Sequence, residues 1–146
     1  MEPITLTVNG KQIKANNGVS ILEAAKSAGI FIPSLCYYPG LKPLAEVTPD
    51  MACQLCQVEV NGEIKLSCVT EAVEGMKIET ETPAVRRLRR KKLTDILYRH
   101  YDACSIFQNE DKNTPPDIHL SNVVDERCAL FPNNGACELQ KVIDHV

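Results

Sequence analysis

The residues best equipped for chemistry are seven cysteines in a chain of 146 residues. They fall into two groups. The first reads Cys36, then Cys53-Gln54-Leu55-Cys56, then Cys68, a spacing of C-x16-C-x2-C-x11-C. Two thiolates two residues apart can serve one metal centre from a single loop without straining the backbone. The flanking cysteines would come from loops on either side. Such a set suits a four-thiolate 2Fe–2S centre. A four-cysteine zinc site is the alternative. A zinc ribbon usually repeats the C-x2-C knuckle, and only one knuckle is present, so spacing favours iron and sulfide. The second group is His100-x3-Cys104, Cys128 and Cys137. One imidazole and three thiolates also form an admissible metal set. A histidine at a helix end is often a cap or a core residue, however, and Cys104 and Cys128 could be buried thiols. His119 could compete as a ligand, though a solvated loop histidine is the simpler reading.

Composition narrows the setting of this chemistry. Hydrophobic residues make up 44% and charged residues 24%, which is ordinary globular usage. A net charge of −3 argues against a dedicated nucleic-acid binder. No apolar run reaches the roughly eighteen residues of a membrane span. Met1-Glu2-Pro3-Ile4-Thr5 has neither the basic nor the apolar region of a secretory signal. The thiols are therefore expected in the reducing cytoplasm, and an odd cysteine count fits a disulfide framework poorly. With no Trp and seven other aromatics, the core must come from Val, Ile, Leu and Ala. Metal staples would help so modest a core. No Ser-His-Asp set, glycine-rich phosphate loop or carboxylate pair stands out, so no substrate-turnover site is read.

Elements that could position the cysteines follow from local pattern. Ile4-Thr5-Leu6-Thr7-Val8, Asn9-Gly10 and Lys11-Gln12-Ile13-Lys14-Ala15 spell a β-hairpin with a primed turn. Ser20 and Glu23 form a capping box for a helix that should run to about Ala28 and stop at Gly29. A second hairpin is predicted from Val58-Glu59-Val60, Asn61-Gly62 and Glu63-Ile64-Lys65-Leu66, and a last short strand from Met76 to Thr80 after the Glu74-Gly75 turn. Together these make a small α+β domain of about eighty residues. Thr82-Pro83 opens a long helix. Val85, Leu88, Leu93, Ile96 and Leu97 recur at helical spacing, with His100 on the same side. Arg86, Arg87, Arg89, Arg90, Lys91 and Lys92 are assigned to the other face, solvated or docking an acidic partner. Without interleaved aromatics this stripe is not read as a nucleic-acid site. Beyond it the texture turns acidic and loop-rich, with a short helix starting at Glu138.

Several of these stretches also resemble one iron–sulfur family. Pro33-Ser34-Leu35-Cys36-Tyr37-Tyr38-Pro39-Gly40-Leu41 is similar to its first-cysteine loop. Cys53-Gln54-Leu55-Cys56-Gln57-Val58-Glu59-Val60 is similar to its second motif, and Leu66-Ser67-Cys68 to its third. Glu74-Gly75-Met76, Thr82-Pro83-Ala84-Val85-Arg86-Arg87 and Cys137-Glu138-Leu139-Gln140 follow its pattern too. The family is the N-terminal region shared by the large iron–sulfur subunit of respiratory complex I, NAD-linked iron hydrogenases and NAD-linked formate dehydrogenases. The resemblance implies a plant-type ferredoxin domain of β-grasp fold over residues 1–81. Its 2Fe–2S ligands would be Cys36, Cys53, Cys56 and Cys68. It implies a following segment, residues 82–146, with a basic helix and a loop-rich part holding a 4Fe–4S centre. There His100 matches the family histidine, Cys104 the first cysteine and Cys137 the last. Cys128 is left for the middle place by elimination, not by motif. The chain departs from the family in a longer stretch between Cys36 and Cys53 and in an insertion at about 105–127 that separates Cys104 from Cys128.

The resemblance also implies a role. The chain is expected to be an electron-transfer subunit or domain of a multi-subunit cytoplasmic oxidoreductase. Its partners would be a flavin- and NAD(H)-binding redox subunit and a further redox or catalytic subunit, with no nucleic acid and no membrane span. Two rivals stay open on sequence alone: a standalone ferredoxin-like shuttle, and a zinc-stabilised binding module with no redox role.

Overall fold

Two Asn-Gly dipeptides set the frame. Each places both residues at positive φ, Asn9 at 49° with Gly10 at 77°, and Asn61 at 50° with Gly62 at 90°. That geometry matches the twist of the strands it joins. The chain is seen in a computed structural model that describes residues 3–41, 46, 48–100 and 138–146. Strands β1 (Pro3–Val8) and β2 (Lys11–Asn16) form the first hairpin, and β3 (Gln57–Val60) and β4 (Glu63–Leu66) the second. Between them lies helix α1 (Ile21–Ser27). Strand β5 (Lys77–Glu79) inserts between the hairpins, parallel to β1 and antiparallel to β3. The sheet order is β2-β1-β5-β3-β4. This mixed five-stranded sheet with a helix is the expected α+β ferredoxin-type grasp.

Register explains the core. Ile13 faces Leu6, and Ala15 faces Ile4, so one side of the first hairpin is apolar. Val8 and Val60 both pair with Ile78, and all three residues are buried. Ile21, Leu22, Ala24 and Ala25 of α1 join them in the same apolar cluster. Ser20 caps α1 by accepting from the Glu23 amide at 3.2 Å, and the Glu23 carboxylate accepts from the Ser20 amide at 3.1 Å. The predicted capping box is thus complete.

Helix α2 (Pro83–His100) begins where Thr82-Pro83 predicts. The Thr82 hydroxyl accepts from the Val85 amide at 3.3 Å. Val85 and Leu93 are buried, as the apolar spacing requires. One residue of the expected solvated stripe is not solvated: Arg89 is 2% exposed. Helical spacing puts it four residues after Val85, on the inner side, so the basic run crosses faces rather than lining one. Helix α3 (Glu138–His145) follows the predicted start. The chain divides into two compact units, Met1–Lys92 and Leu93–Val146. In the second, Leu93 and Val142 are buried.

Candidate iron–sulfur site

Three loops bring the first cysteine group together. Cys36 sits on the segment that leaves α1 through Gly29, whose φ of 74° ends the helix. The Ile30 amide turns back to the Ala25 carbonyl at 2.9 Å. Ile32 is buried and pins the segment to the core. Tyr37, next to Cys36, donates its hydroxyl to the Glu23 carboxylate. A capping residue of α1 therefore also tethers the Cys36 loop. The Tyr37 hydroxyl, followed by the Ser20 amide, holds the Glu23 carboxyl below its ordinary value. Burial, and then the Glu23 carboxylate, push Tyr37 up to about 12.

Cys53 and Cys56 share a tight loop. A single turn at Pro49–Met51 precedes it. Gln54 takes a φ of 53°, which reverses the chain between the two cysteines. Leu55, 0% exposed, anchors the loop. Cys68 follows β4. The Cys56 carbonyl accepts from the Ser67 amide at 3.0 Å and from the Ser67 hydroxyl at 2.8 Å. The Leu22 amide bonds the Ser67 carbonyl at 3.0 Å, and the Ile21 amide the Thr70 carbonyl at 2.9 Å. The first turn of α1 thus finds partners for otherwise orphaned amides in the Cys68 loop.

The four thiols are free and meet as two pairs. Cys36 Sγ lies 3.4 Å from Cys53 Sγ. The Cys68 thiol donates to Cys56, and this bond is the main reason that the Cys56 thiol is pushed down to about 6. The same bond pushes Cys68 up, because its proton is held between the two sulfurs. Desolvation, with repulsion from the neighbouring sulfurs, raises Cys36. No three His, Cys, Asp or Glu side chains among the described residues converge on one ion position. The donor set is two soft thiol pairs side by side, chemistry that suits two adjoining irons bridged by sulfide. The cofactor expected from the sequence therefore fits the residues present.

The second expected group is not brought together within the described residues. His100 is the last residue of α2. Its side chain, together with Cys104, His119, Cys128, Cys137 and the insertion, lies outside what is described.

Two polar features were missed in the sequence. Tyr37 reaching Glu23 links residues fourteen apart, and no local spacing announces it. Arg89 is the larger omission. Its Nη2 and Nε donate to the Gln57 carbonyl at 2.7 and 3.2 Å, and its Nη1 pairs with Glu81 at 3.1 Å. Glu81 also accepts from Arg86 Nε at 3.1 Å. The one available hint was that Arg89 lies four residues after Val85 on a helix.

Residues 1–83 match the sequence profile of a family described as a 2Fe-2S iron-sulfur cluster binding domain. The chain belongs to this family. The 2Fe–2S domain is shared with an iron–sulfur component of complex I and with NAD-linked hydrogenases and formate dehydrogenases. Over 142 residues the chain is 34% identical to an NADH-quinone oxidoreductase subunit of Rhizobium meliloti (strain 1021), covering 96% of this chain and 13% of that protein. Over 146 residues it is 35% identical to the NADP-reducing hydrogenase subunit HndD of Solidesulfovibrio fructosivorans, covering 99% of this chain and 21% of that one. Among solved structures, an NAD+-reducing NiFe-hydrogenase in the H2-reduced state superimposes with a TM-score of 0.56 at 33% identity, over 65% of this chain and 38% of that chain. The chain spans 10% of the length of one curated relative and 21% of another. It is thus an iron–sulfur electron-transfer domain related to subunits of NAD-linked oxidoreductases. No helix among the described residues is long and apolar enough to cross a membrane.

Proposed function

We propose that the chain relays single electrons inside a multi-subunit NAD(H)-linked oxidoreductase, between a flavin- and NAD(H)-binding partner and another redox unit. The observation that carries this reading is the convergence of four free thiols, as two pairs, in a domain whose family binds a 2Fe–2S cluster. Cys36 and Cys53 would hold one iron, and Cys56 and Cys68 the other. The cluster, when bound, supplies a one-electron redox couple. The protein's own part is to fix the sulfurs. Tyr37 and Ile32 hold the Cys36 loop on α1 and the core. Ser67 locks Cys56 beside Cys68. Burial of Cys56 keeps water from its sulfur, while Cys68 is half-buried.

We extend the proposal to a 4Fe–4S centre held by His100, Cys104, Cys128 and Cys137. Support comes from relatives whose similarity runs past residue 83 over 96% and 99% of the chain. A neutral imidazole in place of a thiolate would make such a cluster differ electronically from an all-thiolate one. Two centres in so short a chain make sense as consecutive stations of a wire.

The test is anaerobic purification of the full chain, with analysis of iron, acid-labile sulfide and zinc and EPR of the reduced sample. About six irons per chain with matching sulfide are expected, two from the first centre and four from the second. About two irons would keep the relay and remove the second centre. Zinc without sulfide would overturn the redox reading. Co-purification with a flavoprotein at fixed stoichiometry is the expected sign of the partner.

A further inference from the structure

Arg89 is the largest fully buried side chain among the described residues, and the proposed cluster ligation does not use it. A buried guanidinium stays charged, because its proton is lost only far above physiological pH. Water has been removed from it, so protein groups must replace its hydration. Two groups do so. One is the Gln57 carbonyl, which takes both Nη2 and Nε. Gln57 directly follows Cys56, so the charge is fixed one residue from a proposed ligand that is itself 1% exposed. The other is Glu81, which is 37% exposed and divides its carboxylate between Arg89 and Arg86. Two guanidinium groups thus share this carboxylate.

We infer that Arg89 is a potential-setting residue whose buried positive charge, held on the Gln57 carbonyl, favours the reduced form of the two-iron centre. The inference rests on the reading of Cys56 as a ligand of that centre. Reduction transfers one electron from an external one-electron donor and moves no atom, so the site becomes more negative by one unit. A fixed cation nearby stabilises that added charge. Across buried protein the interaction is little screened by salt. A purely structural role, a staple from α2 to β3, would leave the redox equilibrium untouched.

The experiment is a redox titration of the full chain, purified anaerobically, with dithionite as reductant and the two-iron EPR signal as readout. Iron and sulfide are counted on the parent protein first, and a parent without a two-iron centre overturns both the ligand reading and the inference. With the centre present, Arg89→Gln removes the charge and keeps a side chain able to donate to the Gln57 carbonyl. Reduction should become roughly tenfold less favourable, about 59 mV for one electron. Arg89→Lys keeps a charge and should recover most of that shift. An unchanged potential in Arg89→Gln, or equal shifts in the Gln and Lys variants, overturns the inference while leaving the ligand reading intact. Should Arg89→Gln fail to fold, Glu81→Gln decides. It removes a partly exposed counter-charge, so reduction should become more favourable, and no shift or the opposite shift overturns the inference.

Discussion

At the scale of single residues, the four thiols differ more in burial than in chemistry. Cys56 is 1% exposed and part of the apolar core, whereas Cys36 is exposed. Replacing any of Cys36, Cys53, Cys56 or Cys68 by serine is expected to abolish the two-iron EPR signal. Thermal melts of the metal-free chain should separate them. Cys56→Ser should lower the melting temperature well below that of Cys36→Ser, because only the former puts a hydroxyl into the core. Ser67 belongs to the same scale. Its buried hydroxyl is a second donor to the Cys56 carbonyl, and Ser67→Ala should cost about 1 kcal/mol in urea unfolding. Glu23 supplies a pH dependence. Its folded carboxyl is depressed below the ordinary 4.5, by Tyr37 first. Its contribution is therefore full above that value and is lost as pH falls through the lower folded one. In Tyr37→Phe the acid-side loss of stability of the metal-free chain should shrink, as unfolding measured from neutral to acid pH would show.

At the scale of elements, local signals did most of the work. Thr82 and Pro83 start α2 because a hydroxyl three residues from an amide can reach it, whatever the rest of the chain does. Thr82→Ala should accordingly cost about 1 kcal/mol and fray the first turn, visible as faster amide exchange at Val85. The hairpins were legible for the same reason, since Asn9-Gly10 and Asn61-Gly62 carry their turn geometry in two residues. What local pattern misjudged was the basic side of α2. Counting charges placed Arg89 in solvent with its neighbours. Its place inside depends on Gln57, thirty-two residues earlier in the chain, which offers an unspent carbonyl. The placement of β5 was likewise beyond local pattern. Its strand character was plain, but its insertion between β1 and β3 requires strands some seventy residues apart to pair.

At the scale of the whole molecule, the prediction concerns the number of metal centres. Cys128→Ser in the full chain should lower iron from about six to about two per chain and keep the two-iron EPR signal, if both proposed sets are ligands. Iron analysis with EPR reads this directly, and an unchanged iron count would exclude Cys128 from ligation.

The elements and the family are legible in the amino-acid order alone. Both rest on residues close along the chain: turns of two residues, caps spanning three, and motifs of a few positions around each cysteine. Long-range packing decided which sulfur meets which. Cys36 finds Cys53, seventeen residues on, and Cys56 finds Cys68 across the second hairpin. It also decided that α1 would dock on the Cys68 loop and that one arginine of a basic helix would lie buried against the Gln57 carbonyl. Those outcomes depend on packing between distant segments, where a contact forms only after the sheet order and register are set.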